Sequence, residues 1–202
     1  GHLDPHDGPC RLLCTVADVH VVSVAYRLAP EHPFPAAVDD ALAAWRWLLA
    51  QGLDPSRLAI AGDSASGGHT LATLVALRAA GLPLPACAVA LSPLTDLSDE
   101  RADEGNGDPL IPREGILMMA EAYLQGRNPK EPTASPVFAE LRGLPPLLIQ
   151  VGTRERLLSD SLRVGERARA AGVDVTLEKG EGLIHVWHLF GPEMPEAREA
   201  VA

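Results

Sequence analysis

The stretch Leu58-Ala59-Ile60-Ala61-Gly62-Asp63-Ser64-Ala65-Ser66-Gly67-Gly68 runs from a compact apolar segment, through a serine, into a run of small residues. Leu58 to Gly62 is too short for a helix and is bounded by turn residues, which predicts a buried strand. Gly67 to Ala80 is apolar almost all round, the pattern of a helix buried on several sides. A serine between such a strand and such a helix fits a nucleophile elbow. The strained turn lifts the hydroxyl clear of the sheet, and small neighbours let strand and helix approach closely. The helix N-terminus then aims backbone N–H groups at developing negative charge. The pattern G-x-S-x-G is met only in part. Ser64 has Gly62 before it but Ser66 in place of the second glycine, and Ser66 has Gly68 after it but Ser64 before it. Strand register favours Ser64, because Ser66 falls half a turn into the helix. A serine-capped helix after a buried strand, or a glycine turn for phosphate, gives similar letters. Neither G-x-G-x-x-G nor a P-loop lysine is present, so nucleotide binding loses most of its weight.

Outward from this stretch, strand-like and helix-like segments alternate. His20 to Tyr26 is a short β-branched run that predicts a strand. Val38, Ala41, Leu42, Trp45, Leu48 and Leu49 recur at helical spacing, with Asp39, Asp40 and Arg46 opposite and Gly52 as the stop. Cys87–Leu91, Leu147–Val151 and Val173–Leu177 predict further strands. A helix sharing Leu158, Leu162, Gly165 and Ala168 on one face follows the second of these, and a last helix starts near Glu193. Alternation with runs apolar on both sides indicates a mostly parallel sheet with helices on both faces. From 96 to 145 the rhythm breaks into Gly, Pro and Asp with one helix-like patch, Glu114 to Leu124, too long for a simple connection. It reads as a cap or lid excursion from a single domain spanning residues 1–202.

Composition supports a folded core and narrows the partners. The 202 residues are 47% hydrophobic and 22% charged, the balance of a globular chain. Gly plus Pro is 36, rich in turns but short of a low-complexity composition. The net charge of −10 repels nucleic acid and anionic membranes, and no apolar run is long enough to span a bilayer. Cys10, Cys14 and Cys87 cannot all pair within the chain and read as buried or spare thiols. His2, Asp4 and His6 read as a polar entry loop rather than a metal cluster. The chain starts at Gly1, not Met, and stops inside a helix-like pattern, which reads as a piece of a longer frame. No targeting segment is visible, which means little for a piece of a longer frame; the expected location is cytoplasmic.

Three further segments carry a resemblance. Tyr26-Arg27-Leu28-Ala29-Pro30-Glu31-His32-Pro33-Phe34-Pro35-Ala36, the elbow at Gly62-Asp63-Ser64-Ala65, and Glu181-Gly182-Leu183-Ile184-His185 together closely resemble the hormone-sensitive-lipase-like family of α/β-hydrolases, bacterial carboxylesterases especially. Leu91-Ser92-Pro93, Pro145 to Gly152 and His185 to Phe190 extend the similarity over essentially the whole chain. The resemblance implies an α/β-hydrolase fold and a serine carboxylesterase for small acyl esters, with no metal or organic cofactor. Ser64 matches the nucleophile and His185 the base; on the residues alone, His185 and His188 rank equally. The acid belongs in the loop after Leu147–Val151. Many relatives have Asp at the position of Arg154, and an arginine cannot accept the imidazole N–H. Glu155 is the expected acid, at the family's spacing before Leu157, with Asp160 as runner-up.

Several departures weaken the match. Ala25 stands where Asp is usual, His69 where Asn is common, and Gly180 where an aromatic often precedes Glu181. The family's His-Gly-Gly-Gly motif, which supplies most oxyanion donors, is not in the sequence, and Gly1 to Pro5 resembles the stretch just after it. The Ala65 N–H is the donor that remains. The resemblance thus implies a partial fold without the first three strands, one of which would lie between the two strands expected first here. The alternative reading is a non-catalytic α/β-hydrolase-fold protein that binds a small ligand. Met118, Met119, Tyr123 and Leu124 suit an acyl pocket or a helix packed on the body equally well.

Overall fold

The structure, a computed structural model, describes residues 7–100 and 108–201. The entry-loop residues His2, Asp4 and His6, and the stretch Gly1 to Pro5, lie outside the described residues. The elements run α1 (Asp7–Ala17), α2 (Ala36–Ala50), β1 (Ala59–Asp63), α3 (Ser64–Ala79), β2 (Cys87–Leu91), α4 (Arg113–Leu124), β3 (Leu147–Gly152), α5 (Leu158–Ala170), β4 (Val175–Gly180) and α6 (Pro195–Val201).

The strands form one sheet in the order β1-β2-β3-β4, every pair parallel. Each crossover passes over a face of the sheet, so both faces acquire helices. Leu71, Leu74 and Val75 of α3 meet Ala88 and Ala90 of β2, Leu147 and Ile149 of β3, and Val164 and Ala168 of α5 in one apolar cluster. The opposite face carries Gln150, whose Nε2 donates to the Ala200 carbonyl of α6 at 3.0 Å. Helix α2 lies outside α3, anchored by Val38 and by Trp45, whose indole N–H donates to the Pro83 carbonyl at 2.9 Å. Asp39 and Asp40 face away, and Arg27 clamps Asp40 at 2.8 Å, holding its carboxyl below the ordinary range. In the 96–145 stretch, α4 buries Ile116, Ala120 and Leu124, the i, i+4, i+8 stripe of a helix lying on the body. Of the cysteines, Cys14 is exposed and Cys10 and Cys87 are half-buried.

One expectation fails. His20 to Tyr26 has no ladder partner among the described residues, and Val21, Val22 and Val24 are exposed. A strand takes its hydrogen bonds from a neighbour, and β-branched letters express fit to a half-buried pleated surface, not an intrinsic extended pairing. The outer edge of β1 is likewise unpaired in the described sheet, with Ala59 and Ala61 exposed.

Two glycines set how closely the elbow docks. A Cβ at Gly62 would strike the Ser66 carbonyl, and one at Gly68 would strike the Leu94 carbonyl. Both obstacles are backbone, which cannot swing aside. We therefore expect Gly68→Ala to lower stability by about 1–3 kcal/mol, measured by urea unfolding, with the loop after β2 displaced.

Candidate active site

The elbow forms where the apolar run ends. Ser64 sits at φ +52°, a left-handed value that a serine adopts only under constraint, and α3 begins at that residue. The Leu94 N–H donates to the Ser64 carbonyl at 3.0 Å, so the loop after β2 clamps the strained turn from outside. That loop is itself pinned. Asp160 Oδ2 accepts the Thr95 and Asp96 N–H groups at 2.8 and 3.0 Å, and Asp96 pairs with Arg163 at 2.6 Å. Burial works against the Asp96 charge, but the Ser98 hydroxyl and Arg163 outweigh it and hold the carboxyl below its ordinary range.

From the far end of the sheet, the segment after β4 returns over the strand tips. His185 Nε2 lies 2.8 Å from Ser64 Oγ, and Nδ1 lies 2.9 Å from Glu155 Oε2. Glu155 is 1% exposed and His185 8% exposed, so the carboxylate and imidazole are shielded from bulk water, while Ser64 is half-buried. A carboxylate only accepts, which puts the imidazole proton on Nδ1 and leaves the Nε2 lone pair facing the serine hydroxyl. The second Glu155 oxygen accepts the Gly152 N–H at 2.6 Å and the Ser92 hydroxyl at 2.7 Å. Such a carboxylate is fixed in rotamer and charge-assisted on both oxygens.

The sequence candidates therefore separate by geometry. Ser64, His185 and Glu155 come together. Asp160 is fully buried, but its bonds hold the loop at Thr95 and Asp96. Ser66 points to Tyr26, Oγ to OH at 2.6 Å. His188 turns to the opposite side, Nε2 to Gln150 Oε1 at 2.9 Å. Because Gln150 Nε2 is committed to Glu178 and Ala200, its oxygen must accept, so His188 carries its proton on Nε2 and buries an unpartnered Nδ1. Burial, and then the nearby His185, lower its pKa to about 4. Desolvation likewise lowers the half-buried His69 ring to about 4. Both rings are neutral when folded and take protons more readily when unfolded. Stability should then fall as pH drops from about 6.5 to about 4, by up to roughly 3 kcal/mol per ring. Urea midpoints across that range test this, and His188→Gln should flatten part of the slope.

Beside Ala65, at the N-terminus of α3, lies a cavity of about 310 Å³ lined by Leu28, Ala37, Ala72, Leu97, Met119 and Tyr123, among others. Met118 is 71% exposed, and Leu124 packs with Phe34 and Val38, so the excursion's apolar residues divide between pocket, surface and core. Burial raises the Tyr123 hydroxyl to about 12, so it stays protonated. Ser92, which contacts Glu155, and His69, which lines the cavity, are not legible as site residues in the sequence. The available signal for Ser92 was its place at the carboxyl end of a parallel strand, where sites of open α/β sheets gather. Among the described residues no cluster of three or more His, Cys, Asp or Glu side chains is placed to hold a metal, and no helix is long and apolar enough to cross a membrane.

The same arrangement of strands and loops occurs in known proteins. An acetyl-hydrolase of Streptomyces hygroscopicus is 47% identical over 188 residues, covering 92% of this chain and 63% of that protein. Esterase LipI of Mycobacterium tuberculosis is 39% identical, covering 99% and 65%. The crystal structure of an esterase from the bacterial hormone-sensitive lipase family superposes with a TM-score of 0.96 at 47% identity, covering 100% of this chain and 69% of that one. The chain thus spans just under two thirds of the length of these two curated relatives. A family profile described as alpha/beta hydrolase fold matches residues 1–189. With that match, and with similarity of this degree to bacterial hormone-sensitive-lipase-family esterases, the chain belongs to the α/β-hydrolase fold family.

Proposed function

We propose that these residues form the catalytic core of a serine carboxylesterase acting on small acyl esters. The observation that carries the reading is the unbroken chain from Ser64 Oγ through His185 to Glu155, with contacts of 2.8 and 2.9 Å. Ser64 Oγ attacks the ester carbonyl while its proton passes to His185 Nε2. The tetrahedral oxyanion forms next to the Ala65 N–H. His185 then returns the proton to the departing alkoxide, leaving an acyl-serine. Water repeats the sequence, releasing the acid and restoring the hydroxyl. Glu155 keeps the imidazole in the productive tautomer and stabilises the imidazolium that forms twice per turnover. The cavity beside Ala65, apolar on most sides, suits a short acyl or alkyl group more than a charged substrate.

One N–H is a thin oxyanion hole. The family's glycine-rich motif is absent from these 202 residues, so the reading assigns the remaining donors to a segment outside them. The 202 residues expressed alone should accordingly hydrolyse p-nitrophenyl butyrate poorly, since losing one donor costs about 10²–10³ in kcat.

A fluorophosphonate probe tests the reading in the protein of the full reading frame. The expected result is one covalent adduct at Ser64, seen by peptide mass spectrometry and blocked by Ser64→Ala. Binding of hydrophobic esters without adduct or turnover would instead support a non-catalytic ligand-binding protein.

A further inference from the structure

The segment Leu91-Ser92-Pro93 has no part in the steps above, yet Ser92 lies against the acid. It is fully buried at the end of β2, with φ +47°. Its Oγ is 2.7 Å from Glu155 Oε1 and 3.2 Å from the backbone nitrogen of Val186. A carboxylate only accepts and a backbone N–H only donates, so the hydroxyl proton goes to Glu155 and an oxygen lone pair takes the Val186 N–H. One hydroxyl therefore joins the acid to the residue that follows His185. The backbone there favours glycine, since a side chain at positive φ is strained. A serine is held where glycine would sit more easily.

The geometry points to Ser92 as a positioning residue of this site: its hydroxyl sets the rotamer of Glu155, ties the His185 loop to it, and stabilises the negative charge of the Glu155–His185 pair. The effect on turnover rests on the esterase reading; the effect on the pair does not. With His185 neutral the pair carries one negative charge, and with imidazolium it carries none. A hydroxyl donating to the carboxylate stabilises the first state more than the second. Without it, the pair takes up its proton at higher pH. Of the ionisable side chains nearby, His188 lies on the same segment and interacts with His185, Arg154 and Arg156 flank Glu155 in the chain and Arg156 is engaged by Asp108 and the Ile111 carbonyl, and Asp160, with Asp96 and its partner Arg163, holds the loop that follows Ser92. Substituting Ser92 leaves all of them in place.

The test uses the full-length protein with Ser92→Gly and Ser92→Ala. The ring titration of His185 is followed by heteronuclear NMR, and kcat and KM for p-nitrophenyl butyrate are measured from pH 5 to 9. Both variants should shift the His185 titration, and the acid limb of the rate profile, upward by about one pH unit, the size expected for a hydrogen bond to a charged group. At neutral pH kcat should fall about tenfold to a hundredfold, with KM within twofold. Ser92→Gly relieves the strained φ, which offsets part of the loss of the hydroxyl's two buried hydrogen bonds, so it should melt within several degrees of the parent and carries the test if Ser92→Ala does not fold. An unmoved His185 titration in Ser92→Gly overturns the proposal. So does loss of the fold in Ser92→Gly, which would make the hydroxyl a structural tie. A shifted titration in the Ser92 variants of a parent protein that hydrolyses no ester supports the role of Ser92 while refuting the esterase reading.

Discussion

Ser64→Ala in the full-length protein should lower kcat for p-nitrophenyl butyrate by on the order of 10⁶, leaving only what binding and oxyanion donors contribute. The alanine keeps the elbow backbone and removes the one oxygen that faces His185 Nε2, 2.8 Å away. KM should change little, because the hydroxyl contributes its bond-forming step and not substrate affinity. His185→Ala should cost a comparable factor, and the double variant hardly more than either alone, since the two act as a unit. Ser66→Ala is the control. Its hydroxyl is engaged with Tyr26, so it should alter kcat by less than tenfold, a loosening of packing rather than of chemistry. If Ser66→Ala inactivates and Ser64→Ala does not, the nucleophile has been placed two residues too early.

The second large effect should come from Glu155→Gln, for a reason specific to its partners. Oε1 receives donors from Gly152 and Ser92, while Oε2 faces His185 Nδ1. An amide must keep its oxygen where the two donors point, so its NH₂ is turned toward His185. Nδ1 then has to accept, the ring proton moves to Nε2, and Nε2 can no longer take the proton of Ser64. A wrong tautomer of this kind costs about 10⁴ in kcat with the fold intact. Circular dichroism and melting should match the parent, while turnover should recover partly at high pH. Asp160→Asn should do the opposite. Its oxygen Oδ2 serves two backbone N–H groups of the loop after β2, so the variant should lose stability and retain most of its rate per folded molecule. The reverse ranking of rates would move the acid role to Asp160.

Individual segments show where sequence reading succeeds and where it runs out. The strands Leu147–Gly152 and Cys87–Leu91 were legible because each is a short apolar run between turn residues, and their direction followed from the helices between them. Helix α3 and its junction with β1 were legible for the same local reasons, as were Tyr26 to Ala36 and Glu181 to His185 as segments of a known family. His20 to Tyr26 has letters as strand-like as any of these, yet it has no ladder, because pairing depends on a neighbour that local letters do not contain.

The site divides along the same line. By itself the sequence determined the sheet's parallel character, placed a serine at the turn after the strand Leu58–Gly62 with His185 and His188 far downstream, and left two carboxylates of one loop, Glu155 and Asp160, as candidates for the acid. Each of these follows from local pattern or family resemblance within a few residues. Only the tertiary structure decided which carboxylate reaches the imidazole, which of His185 and His188 faces Ser64, and that Ser92 joins β2 to Glu155 and to the His185 loop. Those contacts bring together residues 30 to 121 positions apart. Their distances are set by how the strand tips align in the sheet and by close backbone approaches such as Gly68 against Leu94. A hydrogen bond is made or lost within a few tenths of an ångström, a precision that only the packed fold supplies.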